Sequence, residues 1–246
     1  MKPYFAIFYL LIAFPLYAIQ TNGVFYVDND VGCVVIAQNG GSTTNKLESG
    51  RTYQTGNSVL ELKTTSATAF FMSGGPLIQV GSNADFSILL YDVDVENLMA
   101  NPQRAKYGNH MINLGLTKGE FSIIYPNKNT NSRVFVNTHY ADYELSGGKY
   151  YFRLTGKSAL VYVLEGGMTV HGDKNRVDVV DKGNFAIAVP FGDSDSGIDD
   201  KMVTSFKKAK NEDVERFASP LLTAEKKWAD VGFFVISGRV IGVQLK

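Results

Sequence analysis

The chain has 246 residues, with 24 Lys plus Arg against 24 Asp plus Glu. That balance offers no basic face to a nucleic acid and no polybasic run to an anionic lipid surface. The length allows a fold to bury roughly 70–75% of its unfolded surface without staples, as one large all-β domain or two small ones.

The first feature in chain order is an address. Lys2 is the only charge before Asp28, and an apolar stretch over residues 4–17, interrupted by Pro15, ends at Ala18. This predicts a signal peptide over 1–18 with cleavage after Ala18, although Leu16 is bulkier than the small residue usual so close to the cut. The stretch is shorter than the ~20 residues that span a bilayer. No later segment is long and apolar enough, so no transmembrane helix is expected after cleavage. The single cysteine, Cys33, cannot form an internal disulfide and reads as a small core residue. Export without disulfides points to a bacterial envelope, periplasmic or secreted.

Short apolar runs at 24–27, 33–36, 59–62, 70–72 and 77–80, separated by turn residues, predict an N-terminal β-unit over 19–96. The polar stretch 97–111, with Pro102 and Gly108, reads as a connector. Strand rhythm resumes over 112–192, with runs at 121–125, 134–136, 150–152, 160–164, 177–180 and 185–189. The last part, 193–246, changes character. Met202, Val203, Phe206, Val214 and Phe217 fall near helical spacing in a stretch of balanced charge. Ser219-Pro220 offers an N-cap and first helical proline to a second helix carrying Leu221, Leu222, Trp228 and Val231, with Gly232 as its stop. Runs at 233–236 and 240–243 predict a terminal hairpin around Ser237-Gly238. The expected fold class is all-β, β-roll or β-sandwich-like, built on a duplicated unit, with a short C-terminal helical segment and a terminal hairpin.

The duplication rests on Asn57-Ser58-Val59-Leu60-Glu61-Leu62-Lys63-Thr64, which lines up with Asn131-Ser132-Arg133-Val134-Phe135-Val136-Asn137-Thr138. Ala67 then matches Ala141, and Ser73-Gly74-Gly75 matches Ser146-Gly147-Gly148. The period is longer than a solenoid coil and fits a repeated β-unit.

Signals for chemistry are sparse. His110, His139 and His171 are far apart, and none has a second ligand at metal spacing, so no metal and no cofactor are expected. There is no nucleophile elbow and no phosphate-binding glycine loop. Asp92, Asp94 and Glu96 alternate along one strand and would project from one face as a solvated acidic stripe. The acidic loop at 193–199 lacks a Glu at the twelfth position, where Thr204 stands, and reads as a polar loop capping a helix. Tyr140, Tyr143, Tyr150 and Tyr151 are the candidate binding residues, able to stack on sugar rings, though cross-strand aromatic packing explains them equally well. Tyr150 and Tyr151 face opposite ways, so on a one-sided sheet only one of them is core.

The stretch 112–191 resembles a FecR-type domain. The resemblance is carried by Leu116-Thr117-Lys118-Gly119-Glu120-Phe121, by Asn131-Ser132, by Val161-Tyr162-Val163-Leu164-Glu165-Gly166-Gly167-Met168-Thr169-Val170, and by Asp181-Lys182-Gly183-Asn184-Phe185-Ala186-Ile187. Residues 47–80 are similar to a weaker copy. Where the family often shows Arg-Gly-Thr before a central Phe strand, this chain has Ser146-Gly147-Gly148-Lys149-Tyr150. The resemblance implies a β-rich, roll-like fold without catalysis that binds other envelope proteins. Named members are membrane regulators that relay siderophore signals to a sigma factor. They carry a cytoplasmic domain that this sequence does not show ahead of its apolar stretch, so that role is not expected to transfer. The resulting expectation is an exported, non-enzymatic FecR-domain protein acting as an envelope protein–protein interaction or sensing module. The alternative is a glycan- or cell-wall-binding β-module, and an enzyme ranks below both.

Overall fold

A computed structural model describes residues 19–28, 33–38, 41–55, 59–73, 75–96, 106–125, 131–155, 158–171, 177–183, 185–188, 231–236 and 239–245. Every regular element among them is a strand: β1 (Ile19–Asn22), β2 (Val24–Asp28), β3 (Cys33–Gln38), β4 (Gly41–Lys46), β5 (Thr52–Gln54), β6 (Leu60–Thr64), β7 (Thr68–Met72), β8 (Leu77–Val80), β9 (Asp85–Glu96), β10 (Lys106–Tyr125), β11 (Arg133–Asn137), β12 (Asp142–Leu154), β13 (Ala159–His171), β14 (Val177–Asp181), β15 (Phe185–Ala188), β16 (Val231–Ile236) and β17 (Arg239–Leu245). The fold is all-β. The expected signal peptide, the acidic loop at 193–199, the two helices over 199–230 and the turn at 237–238 lie outside the described residues. The terminal hairpin strands, β16 and β17, pair antiparallel as expected.

Strands β1 to β15 form one hydrogen-bonded sheet, and its pairing divides it into two layers. Layer 1 runs through β14, the C-terminal half of β13, the N-terminal half of β12, β11, the N-terminal half of β10, and β9. Beyond β9 it continues through β1 at one end and through β6, β3 and β4 at the other. Layer 2 runs through β15, the N-terminal half of β13, the C-terminal halves of β12 and β10, then β8, β7, β2 and β5. All neighbours are antiparallel except β10 and β11, which run parallel.

Three strands belong to both layers, and each changes partners at glycine. β10 pairs with β9 as far as Lys118, and with β12 from Gly119 onward. β12 slips register at Gly147-Gly148, and β13 bends opposite them at Gly166. These glycines have φ of +92° at Gly119, +98° at Gly147, +133° at Gly148 and +86° at Gly166. At each break the buried positions change parity. Ile112, Leu114 and Leu116 give way to Phe121, Ile123 and Tyr125, and Tyr143 and Leu145 give way to Tyr150 and Phe152. Val161 and Val163 likewise give way to Met168 and Val170. Such a phase shift is what a β-bulge does, and it keeps apolar side chains on the core while the strand turns.

The corner where β12 and β13 bend together admits no side chain. A Cβ on Gly148 would stand 1.9 Å from the Glu165 carbonyl oxygen, and one on Gly166 would stand 1.7 Å from that of Gly147. The backbones approach this closely because nothing intervenes. Tyr150 then closes the corner. Its hydroxyl hydrogen is shared between the carbonyls of Gly147 at 2.7 Å and Gly167 at 2.6 Å, and Ser146 Oγ also donates to Gly167 O, at 2.6 Å.

Between the layers lies one continuous core. Ring contacts run through it from Tyr53 to Phe25, Phe70, Phe86, Phe121, Phe152 and Tyr143, with successive centroids 4.7–6.0 Å apart. Phe86 and Tyr143 come from layer 1 and the other five rings from layer 2, so the series stitches the layers together. A buried polar link does the same elsewhere. Tyr91 Oη of layer 1 lies 2.8 Å from Ser73 Oγ at the β7–β8 turn, and the Val24 amide donates to that Ser73 oxygen at 3.0 Å. The units expected at 19–96 and 112–192 therefore share a sheet and a core.

Two expectations are corrected. The connector read over 97–111 gives way to β10 from Lys106, paired with β9. Its polar content reflects a strand with one outward face, where Asn109, Met111 and Asn113 alternate with the buried His110 and Ile112. The duplicated segments match in burial phase, with Leu60 and Leu62 buried like Val134 and Val136, but their pairing differs. β6 lies antiparallel to β9, whereas β11 lies parallel to β10.

The corner generates a graded prediction for urea unfolding. Gly183 has φ +81° with open space around it, so Gly183→Ala adds only backbone strain and lowers stability by ~1–2 kcal/mol. Gly166→Ala adds a backbone collision and lowers stability by more than ~4 kcal/mol. Tyr150→Phe removes this donor from the buried Gly147 carbonyl, while Gly167 O keeps Ser146 Oγ, and lowers stability by ~1–3 kcal/mol. Equal losses for the two glycine variants would contradict the close approach.

Candidate functional site

The four tyrosines singled out by the sequence do not form a solvent-facing platform. Tyr140, Tyr143, Tyr150 and Tyr151 are all buried. Tyr143 is part of the ring series, and burial pushes its phenol well above the usual range. Tyr150 closes the glycine corner, and burial pushes it up to about 12. The Tyr140 hydroxyl donates to Thr155 O at 2.9 Å, and that of Tyr151 donates to Glu120 Oε2. Tyr150 and Tyr151 point to opposite faces as expected, yet both are buried. The outer face of layer 2 also carries a second small cluster, made by Ala69, Phe71, Leu77 and Ile124 with Tyr26 and Leu164 packed against it.

The histidines are dispersed. His139 is exposed against Tyr140, and His171 Nε2 lies 3.7 Å from Glu144 Oε2 on the outer face of layer 1. His110 is buried, its amide donating to Ser132 Oγ at 3.1 Å and its Nδ1 standing 3.3 Å from that oxygen. Its ring packs edge-on to Tyr125 at 5.4 Å, and Nε2 has no hydrogen-bond partner. Burial lowers its pKa to about 4. Among the described residues, no three His, Cys, Asp or Glu side chains are grouped to hold a metal ion.

The outer face of layer 1 carries exposed apolar side chains. The four exposed large apolar residues among those described, Val59, Leu90, Met111 and Val179, all lie on it. Val59 precedes β6, Leu90 is on β9, Met111 on β10 and Val179 on β14. Each is adjacent in sequence or register to a core position, which places it outward. Asn113 pairs with Leu90 and Asp92 with Met111, so the Leu90 and Met111 side chains are diagonal neighbours. Around them stand acids. Asp92 and Asp94 line a depression of about 200 Å³ with Asn109, Met111 and Asn131, and Asn109 Nδ2 donates to Asp94 Oδ2 at 3.4 Å. Glu61 and Asp85 line a second depression with Val59 and Leu89. Further along the face, Asn137 Nδ2 donates to Asp142 Oδ1 at 3.0 Å. Arg133, opposite Met111 in register, brings a cation into this field.

The Asp92 and Asp94 part of this surface was readable from alternation along β9; the side chain of Glu96, third in that stripe, is not among those described. Asn109 and Met111 were missed inside the stretch read as a connector, and Asn113 continues their period of two just beyond it. Chemically the arrangement is a flat sheet face with apolar points in an acidic, amide-rich field. That suits contact with another macromolecule rather than enclosure of a small molecule.

No protein-family model matches the chain, and no curated protein matches it. Among solved structures, two crystal structures of a proposed anti-sigma factor from Parabacteroides distasonis ATCC 8503 are similar in part. One has a TM-score of 0.37 at 11% identity, covering 76% of this chain and 99% of the other. The second has a TM-score of 0.37 at 10% identity, covering 74% and 96%. At that TM-score the likeness assigns no function to this chain.

His110 makes stability depend on pH. Unfolded, the ring takes up a proton near its ordinary value of 6.5; folded, it stays neutral down to about 4. Stability is therefore lost as pH falls from 6.5 toward 4, by ~3 kcal/mol in all, with no further loss from this group below that. His110→Gln should remove about one proton's worth of slope from a stability–pH curve in this window. An unchanged slope would contradict the buried neutral imidazole.

Proposed function

We propose that this chain is an exported, non-enzymatic FecR-like module that binds a protein partner in a bacterial envelope through the outer face of layer 1. The observation that carries the reading is the contrast between the two outer faces. Layer 1 exposes Val59, Leu90 and Met111 among carboxylates, whereas on layer 2 Ala69, Phe71, Leu77 and Ile124 are buried. Apolar points inside a polar rim are the anatomy of a transient protein interface. Asp92 and Asp94 in that rim favour a partner with basic residues opposite them, and such complementarity mainly sets association rate and selectivity.

The apolar stretch before Ala18 supports export. The FecR resemblance supports a binding role, and the glycine turns that carry it, at Lys118-Gly119 and Glu165-Gly166, occupy the corners that shape the roll. The glycan alternative loses its stacking platform once the four tyrosines are core residues.

The test is affinity capture from an envelope extract with the mature chain from Ile19, compared across surface variants. Met111→Lys with Asp92→Lys should reduce capture of the enriched protein at least tenfold, and raising the salt should weaken the unmodified interaction. Arg153→Glu, exposed on β12 in layer 2, should leave capture unchanged. Equal capture by all three chains would overturn the assignment of this face.

A further inference from the structure

The depression of about 200 Å³ on the outer face of layer 1 is lined from three elements. Asp92 and Asp94 come from β9, Asn109 and Met111 from β10, and Asn131 stands just ahead of β11. The two carboxylates alternate on their strand, so both project outward, ~6.8 Å apart along it. Asn109 Nδ2 donates to Asp94 Oδ2 at 3.4 Å, which turns the Asn109 amide oxygen away from that carboxylate as an acceptor. Met111, 42% exposed and opposite Asp92 in register, supplies an apolar wall.

His110 is the buried member of the lining, 4% exposed. Its Nδ1 stands 3.3 Å from Ser132 Oγ, while Nε2, on the other edge of the ring, has no hydrogen-bond partner. Buried polar atoms are rarely left that way, and a donor that reaches the base of the depression satisfies this one. Burial also keeps the imidazole uncharged at neutral pH, its pKa lowered to about 4. The Tyr125 phenol, packed edge-on to it, is raised by burial and is uncharged too. The charge facing the depression is therefore that of Asp92 and Asp94, with Arg133 on β11 bringing a cation to the rim opposite Met111. Among the described residues, no three His, Cys, Asp or Glu side chains are grouped to hold a metal ion, so the lining suits an organic cation.

We propose that this depression receives one arginine side chain of the protein that docks on layer 1. The guanidinium lies between Asp92 and Asp94, the amide oxygens of Asn109 and Asn131 and the Nε2 of His110 take its remaining donors, and its methylene stem lies along Met111. A guanidinium presents five N–H donors in a planar fork, which matches acceptors arriving from several strands, whereas a lysine ammonium is a compact point charge with three. The apolar stem behind the charge is what Met111 can cover. The inference rests on the reading of layer 1 as the binding face and deepens it by naming the group recognised.

The probe is Nα-acetyl-arginine amide, titrated into the purified chain and followed by NMR at the Asn109 and Asn131 side-chain amides, the Met111 methyl and His110 Nε2. These signals should move together and saturate. The citrulline counterpart, similar in shape but neutral, should move none of them. Asp94→Asn should weaken the probe about tenfold, through the loss of a charged hydrogen-bond acceptor. Arg133→Ala, which removes the cation at the rim, should tighten it about twofold. Asp142→Asn, on β12 of the same face, should change nothing. Shifts that never saturate, or equal shifts with the citrulline probe, would overturn the proposal. So would calcium chloride reproducing the shifts, which would make the depression a metal site, or a lysine probe binding as tightly as the arginine one. Partner capture is a separate readout. Capture undiminished by Asp94→Asn sinks this inference and leaves the layer 1 face standing, whereas saturable probe binding without any captured protein supports the site and sinks the reading of that face as a protein interface.

Discussion

A backbone crossing too tight for any side chain organises this protein. At Gly147-Gly148 and Gly166-Gly167, strands β12 and β13 bend together, and the Tyr150 hydroxyl bridges the carbonyls that the bend would otherwise strand. Because the two strands turn at the same place, they pass as a pair from layer 1 to layer 2. β10 makes the same passage at Gly119, where a Cβ would stand 2.8 Å from the Ala84 backbone. Each passage inserts a bulge, and each bulge restores the apolar face to the core. A long sheet that would expose two broad faces instead wraps around its own interior.

Once the sheet is wrapped, the remaining features find their places. The aromatic series from Tyr53 to Tyr143 fills the space between the layers and crosses the boundary between the two halves of the chain. Buried polar groups cluster at the seams, with Tyr150 at the glycine corner, Ser73 and Tyr91 at the β7–β8 turn, and His110 beside Ser132. The outer faces diverge in character. Layer 2 carries a buried apolar cluster, while layer 1 has carboxylates and asparagines around exposed apolar side chains. That divergence, more than any single residue, motivates reading layer 1 as the side that meets a partner.

Much of the fold was legible because alternation is a local property. Leu60-Glu61-Leu62 and Val134-Phe135-Val136 read as strands with one buried face, and they are. Asp92 and Asp94 read as outward, and they are. What escaped depends on partners distant in sequence. Tyr151 is buried although it points away from the inter-layer core, on the same face as the buried Phe71, Leu77 and Ile124. Gly108 and the asparagines near it looked like a loop because the signal that β10 continues upstream of Ile112 is its pairing with β9. The matched segments around Leu60 and Val134 predicted equivalent strands, but pairing direction is set by neighbours and not by the segments themselves. Ser146-Gly147-Gly148, visible as a departure from the family pattern, is the corner on which the roll turns.

The central claim is that the strands before residue 96 and those after residue 106 fold as one wrapped body, held through the bends of β10, β12 and β13. Native-state amide hydrogen exchange tests it most directly. Amides of β7, β8 and β9 should share the highest opening free energy with those of β12 and β13, and respond to denaturant with a common slope. Separate opening free energies for the strands before residue 96 and those after residue 112 would contradict the account, and would return the chain to two independent β-units.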